Sequence, residues 1–456
     1  MSVRWSPPSA EAELGLGFYA TATPGTGGRL KVEPEDFRVD EISLYPFPES
    51  EGPYTILRVS ARNWEQHELA RRLSERIGLP RGRMAWAGTK DRRAITEQLL
   101  SYLGPPVDLG AEPLPGVQIR EVYRAREGLV LGHHFGNAFD LRVREVTLAP
   151  EMLAERAGAT LAALKELGRF PNLFGPQRFG EVRPVTHVVG RWLLRGDSRA
   201  AVEAYLTQLT EAESDEGRRA REAYAAHHDA LRALREFPPA YRFERTLLDH
   251  LARGQEPARA FRSLPRELRL LFVHAYQSLL FNRYLGARRA EGLSFTNPEE
   301  GDYLLRTARD GTIPGTDAIP VRRDNLPEAR TMVDRGRAVL AGPLVGRSTP
   351  EPLGRPGEIL QKLLAEESVE RAAFRLPAHP DIASEGTWRP LTVAVPPMGL
   401  RVDPPSPEEA LSSYRLTFAL PKGTYATVLL REFLKHDARP DETAGPEPSG
   451  VPSKQA

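Results

Sequence analysis

The chain of 456 residues contains no cysteine. That excludes disulfides, thiolate nucleophiles, cysteine-ligated zinc and iron–sulfur clusters. Lysine is nearly as scarce, with 7 against 55 arginines. A flexible point charge does not substitute for a guanidinium fork, so each lysine draws attention. An excess of one charge sign is also missing: Lys and Arg total 62, Asp and Glu 61. A uniformly basic nucleic-acid binder is thereby excluded, and any polyanion must meet a local patch. No run approaches about 18 consecutive apolar residues, so no transmembrane helix is expected. The opening carries Pro7, Pro8, Glu11 and Glu13 where a signal peptide needs an apolar stretch. A cytoplasmic protein is the expectation. No His-Glu-x-x-His occurs, and the ten histidines are scattered. The glycine-rich Gly25-Thr26-Gly27-Gly28 lacks the lysine and hydroxyl of a phosphate loop.

What is present is globular: 40% hydrophobic and 27% charged residues, with abundant Pro (41) and Gly (38) as punctuation. At roughly 150 residues per domain, the length allows about three domains or two large ones. Tyr54 to Val59 reads as a strand, followed by a helix capped at Asn63, with Leu69, Leu73 and Ile77 on its buried face. Short strands are predicted at Met84–Ala87, Ile95–Tyr102, Gly116–Tyr123 and Ala138–Val146, then a helix over Pro150–Gly168. The stretch from about 198 to 291 is helical by composition, ending in a run over Arg266–Ala290. Strand-like segments return at Gly311–Val345, Pro390–Val395 and Tyr414–Leu420, with helices over Gly357–Phe374 and Tyr425–Lys435. Residues 437–456, with four prolines and almost no large apolar residue, read as a disordered tail, and the first dozen residues look similar. β-rich sections at both ends and a helix-rich middle fit either domains in series or one domain with an insertion.

Asp91 stands out among the polar residues. It lies in a short turn after a buried-looking strand, where rigid scaffolds carry reactive side chains. Between residues 81 and 93 there are five basic residues and one acidic, a local charge of +4. Such a field suits an ionised carboxylate, the form a nucleophile or base needs, and it attracts a phosphate backbone. The plain alternative is a solvated turn whose aspartate satisfies backbone amides. Lys31, in Leu30-Lys31-Val32-Glu33-Pro34-Glu35-Asp36-Phe37, is one of the rare lysines. Gly136-Asn137-Ala138-Phe139 sets an amide and an aromatic at a strand entry, a pair able to hydrogen-bond and stack a base or simply to close a turn over a core. Pro171-Asn172-Leu173-Phe174-Gly175-Pro176-Gln177-Arg178-Phe179-Gly180 packs polar, aromatic and turn residues into one loop, as domain junctions and binding loops do.

In this order the segments resemble the TruD family of tRNA pseudouridine synthases. The signature lies at Ala87-Gly88-Thr89-Lys90-Asp91-Arg92-Arg93-Ala94 with Thr96 and Gln98. Ala275-Tyr276-Gln277-Ser278 with Leu280-Phe281-Asn282, and Leu420-Pro421-Lys422-Gly423-Thr424-Tyr425 with Leu430-Arg431-Glu432, complete the set, which runs from residue 30 to about 435. Leu173 departs from the family's frequent tyrosine. The resemblance implies an α+β fold: a pseudouridine-synthase catalytic domain, a mixed and mainly antiparallel sheet with flanking helices, formed by 1–182 plus 372–436. An α/β TRUD insertion domain over 183–371 interrupts it.

The resemblance further implies isomerisation of a uridine in tRNA, uridine 13 in the family, with no cofactor and no metal. Asp91 matches the family's essential aspartate, acting on the ribose as nucleophile or base. Lys31 would hold it charged and oriented, Phe139 would pack on the uracil, and Asn137 would position the base or its loop. Arg178, with Arg81, Arg83, Arg92 and Arg93, is a candidate RNA contact, although surface ion pairs serve as well for any one arginine in this chain. The implied partner is tRNA, without membrane, and the implied state is a monomer. A catalytically silent RNA-binding or RNA-folding protein on the same scaffold is the competing reading.

Overall fold

The computed structural model describes residues 5–43, 45–80, 82–180, 183–210, 213–309, 311–406 and 409–440. From residue 441 the expected tail lies outside them, as does Arg81. The chain divides into two compact units. One comprises Ala20–Phe170 and Ala394–Ala456 with Met1–Trp5; the other comprises Ser6–Tyr19 and Pro171–Val393.

The first unit is built on an eight-stranded sheet. Its strands are β1 (Phe37–Ile42), β2 (Tyr54–Arg62), β3 (Ala85–Trp86), β4 (Ile95–Leu103), β5 (Val117–Ala125), β6 (Gly136–Val146), β7 (Gly399–Asp403) and β8 (Ser412–Pro421). Their order is β7-β8-β6-β1-β4-β2-β5, with β3 also on β4. All pairings are antiparallel except β1 with β4. The sheet is thus mixed and mainly antiparallel, and its flanking helices are α1 (Gln66–Ile77), α2 (Pro150–Leu167) and α3 (Ala426–Leu434). Period-two alternation explains β1: Phe37 and Val39 are buried between exposed Arg38 and half-buried Asp40. Leu69 and Leu73 of α1 pack on Leu57, Val59 and Leu100, and Gly78 ends the helix at φ 79°. The helix starts later than Asn63. Glu65 is its N-cap, accepting from the amides of His67 and Glu68, because Asn63 sits in the left-handed region at φ 59°.

The second unit holds helices from Thr186 onward, among them the 25-residue helix Arg266–Ala290. A four-stranded antiparallel sheet orders Ala318–Pro320, Tyr303–Arg306, Ala338–Leu344 and Thr387–Pro390. A helix, Leu326–Asp334, lies within the stretch read from sequence as strand-like. This unit reaches beyond 183–371 at both ends and takes in Ser6–Tyr19. The cause is local. The amide of buried Asn282 accepts from Phe174 N (2.8 Å) and donates to Phe174 O (2.9 Å) and Leu14 O (3.0 Å). Two chain segments are thereby fixed to the long helix. Residues 9–13 are also more ordered than their composition suggests, since Ser9–Glu13 is helical.

Candidate active site

The segment entering β1 is held by one carboxylate. Asp36 is fully buried; it accepts from Glu33 N at 2.8 Å and from Arg144 Nε at 2.6 Å. This fixes the approach that carries Lys31. Lys31 adopts φ 55°, an uncommon conformation for a residue with a side chain. Its ammonium lies 2.9 Å from Asp91 Oδ1 and 4.5 Å from the centroid of the Phe37 ring. The two side chains are only 14% and 17% exposed, so Asp91 does not stand free in solvent. Arg93 donates to the carbonyl of Val32, a second tie between the two segments.

Asp91 belongs to an irregular connection between β3 and β4. Backbone bonds hold both ends: Gly132 N to Ala87 O at 2.7 Å and Asn63 N to Ala94 O at 2.9 Å. In the middle, Lys90 meets not Lys31's partner but Glu41, whose Oε2 lies 2.6 Å away, with side-chain exposures of 4% and 0%. His134 stands beside them. A Cβ on Gly88 would lie 3.0 Å from His134 Cε1 and 3.1 Å from Lys90 Nζ, so a side chain there would press on both. Burial, and then the Lys90 charge, hold the His134 imidazole below its ordinary pKa, and its Nδ1 is buried without a partner.

Register assembles the rest. Between β1 and β6, Phe37 faces Leu141, Val39 faces Phe139 and Glu41 faces Asn137. Between β6 and β8, Phe139 faces Phe418 and Asn137 faces Leu420. Directly opposed residues share a sheet face, so Asn137, Phe139, Glu41, Phe37 and Phe418 lie on one side. Phe139 packs 5.4 Å from Phe418 and edge-on at 6.3 Å from Phe37, and is 9% exposed. Asn137 is half-buried, and its Oδ1 is buried with no hydrogen-bond partner.

Lys31, Asp91, Asn137 and Phe139 therefore all belong to the first unit, Asp91 through Lys31 and Phe37, and the other two on the same sheet face as Phe37. Arg83, Arg92 and Arg93 are exposed in this unit. Arg178 belongs to the second unit, where it donates to Ser278 Oγ at 3.2 Å and lies 5.8 Å from the Phe174 ring. Sequence reasoning missed Phe37, Glu41 and His134. The signal for Glu41 was available: it occupies the buried phase of Phe37 and Val39, where a carboxylate demands a cation. Nothing in the sequence names that cation or points to His134. Among the described residues, no group of three or more His, Asp and Glu side chains is arranged to hold a metal ion.

The family model described as tRNA pseudouridine synthase D (TruD) matches residues 13–433. A probable tRNA pseudouridine synthase D of Halobacterium salinarum is 40% identical over 438 residues, covering 93% of this chain and 97% of its own. One from Methanococcoides burtonii is 35% identical over 434 residues, covering 94% and 98%. The crystal structure of a putative tRNA pseudouridine synthase D from Methanosarcina mazei superposes with a TM-score of 0.77 at 32% identity, covering 94% of this chain and 98% of that one.

Proposed function

The chain belongs to the TruD family of tRNA pseudouridine synthases, and on that premise we propose that it isomerises uridine 13 of tRNA with Asp91 as the reacting carboxylate. The observation that carries this reading is the Lys31–Asp91 pair at 2.9 Å, set beside the Phe37–Phe139–Phe418 cluster. The reaction breaks the uridine N1–C1′ bond, turns the uracil, and forms a C5–C1′ bond. The C5 proton leaves and N1 ends protonated, so atoms balance without redox or an added group. A carboxylate serves either route to cleavage, attack on C1′ or removal of a sugar proton. Lys31 orients it in both. The target base must leave its stack to arrive there. Phe139 then packs against the uracil, and Asn137 positions the base or its loop. Arg83, Arg92, Arg93 and Arg178 supply phosphate contacts, which position the RNA without reading sequence. The family insertion corresponds to 183–371 within the second unit, and the first unit carries the catalytic domain. The protein acts as a monomer in the cytoplasm.

The test uses unmodified tRNA transcripts, with pseudouridine mapped by chemical labelling and primer extension. Product at position 13, absent from a transcript with cytidine there and absent with Asp91→Asn, is expected. Normal turnover by Asp91→Asn would overturn the role of Asp91. Binding without any product from the wild-type chain would favour the silent RNA-binding reading.

A further inference from the structure

Lys90 and Asp91 are neighbours in sequence, yet they enter two separate ion pairs. Asp91 meets Lys31 in a partly exposed setting, whereas Lys90 meets Glu41 in an almost fully enclosed one. The enclosed pair is well satisfied. Glu41 Oε1 accepts from Ser43 Oγ at 2.7 Å, and Lys90 Nζ also reaches Gly88 O at 3.4 Å. His134 closes the side toward Gly88. Glu41 is itself placed by register: it sits directly opposite Asn137, two residues from the position opposite Phe139. The connection bearing Asp91 has no regular structure of its own around the aspartate, so its side-chain anchors decide where the carboxylate stands.

We infer that the buried Lys90–Glu41 pair is the positioning device of the site, fixing the Asp91 connection against the strand pair that carries Asn137 and Phe139. This rests on the reading of Asp91 as the reacting group. Lys90 and Glu41 touch no substrate atom in it; they act through Asp91. A buried ion pair contributes little net stability relative to apolar replacements. Its worth here is geometric: a salt bridge 2.6 Å long between a turn and a strand transmits the strand's position to the next residue. Displacement of a reacting group by about 1 Å costs on the order of 10²-fold in rate.

The experiment compares wild type with Lys90→Met, Glu41→Gln, the double variant and Asp91→Asn. Single-turnover rates at saturating enzyme, transcript affinity by anisotropy, melting temperature, and hydrogen exchange of amides 88–93 are measured. Each single variant is expected to lose about 10²-fold in rate with affinity within threefold and faster exchange at 88–93. The double variant is expected to be no slower than the worse single one, because the two side chains act as a unit. Folded variants with wild-type rates would overturn the inference while an inactive Asp91→Asn left the functional reading intact. An active Asp91→Asn would remove both. Multiplicative rate losses in the double variant, or failure of all three pair variants to fold at 10 °C, would make the pair independent contacts or a fold determinant, and the inference would fall.

Discussion

Replacing Lys31 with Met tests the site most directly. Methionine keeps an unbranched, flexible stem against the Phe37 ring and removes only the ammonium. At 2.9 Å and an effective dielectric of about 20, the gross attraction to the Asp91 carboxylate is about 6 kcal/mol. Desolvation and side-chain ordering offset much of that, and a charge-assisted hydrogen bond in a partly buried place is worth about 2–3 kcal/mol net. If that interaction orients Asp91 in the transition state, its loss lowers the rate about 30- to 160-fold. The C5 hydrogen must leave the uracil, so tritium release from a transcript labelled at uridine C5 follows turnover. Saturating single-turnover rates should fall by that factor with transcript affinity nearly unchanged. Lys31→Arg should recover only part, because a planar fork cannot occupy the ammonium's place over the Phe37 ring without moving the carboxylate. A variant with a wild-type saturated rate and weakened affinity would make Lys31 a phosphate contact and refute the reasoning.

Asn137→Leu should lower the saturated rate about tenfold by removing the acceptor, again with little effect on affinity; a rate within twofold of wild type would take Asn137 out of base recognition. Gly136→Ala would set a Cβ 2.1 Å from the Leu420 carbonyl oxygen and should cost about 1–3 kcal/mol in denaturant unfolding; an unchanged midpoint would mean that β6 and β8 separate there without strain. Acid should weaken the second unit. Burial brings His187, His274 and His379 down to about 4 from 6.5. As pH falls from about 6.5 to 4, the unfolded chain takes up protons that the folded unit refuses, so stability is full above 6.5 and declines across that window. Each histidine contributes at most about 3 kcal/mol. A melting temperature that stays level between pH 7 and 4.5 would contradict this burial.

The strands at 54–59, 95–102, 138–146 and 414–420 were legible because alternation or β-branched runs mark them, and their observed limits differ by a few residues. The helix Arg266–Ala290 was legible to the residue. The α1 start was not, since Asn63 has the composition of a cap but the backbone of a turn, and Glu65 takes the role. The helix Leu326–Asp334 was hidden among prolines and glycines. For the site, motif order supplied Asp91, Lys31, Asn137 and Phe139, and the coordinates bring Lys31 to Asp91. What local sequence could not supply is strand register. Only the pairing of β1 with β6 sets Glu41 opposite Asn137, and only the direction of the Lys90 side chain finds it. Nor could composition foresee that residues 171–180 and 372–393 fold with the middle of the chain, the first of these tied to the long helix by the single amide of Asn282.

The position of β8 carries an implication for biosynthesis. It borders β6, and partners such as Asp140 and Arg415 are 275 residues apart in the chain. The ribosome therefore releases β6 long before its neighbour exists. Until then one rim of the sheet is an open template for adventitious strand addition. The intervening Pro171–Val393 unit is nearly contiguous and can condense first. Contact order makes the eight-stranded sheet the slow, late step. A message cut short before codon 412 would yield a folded middle joined to an unfinished, self-associating sheet.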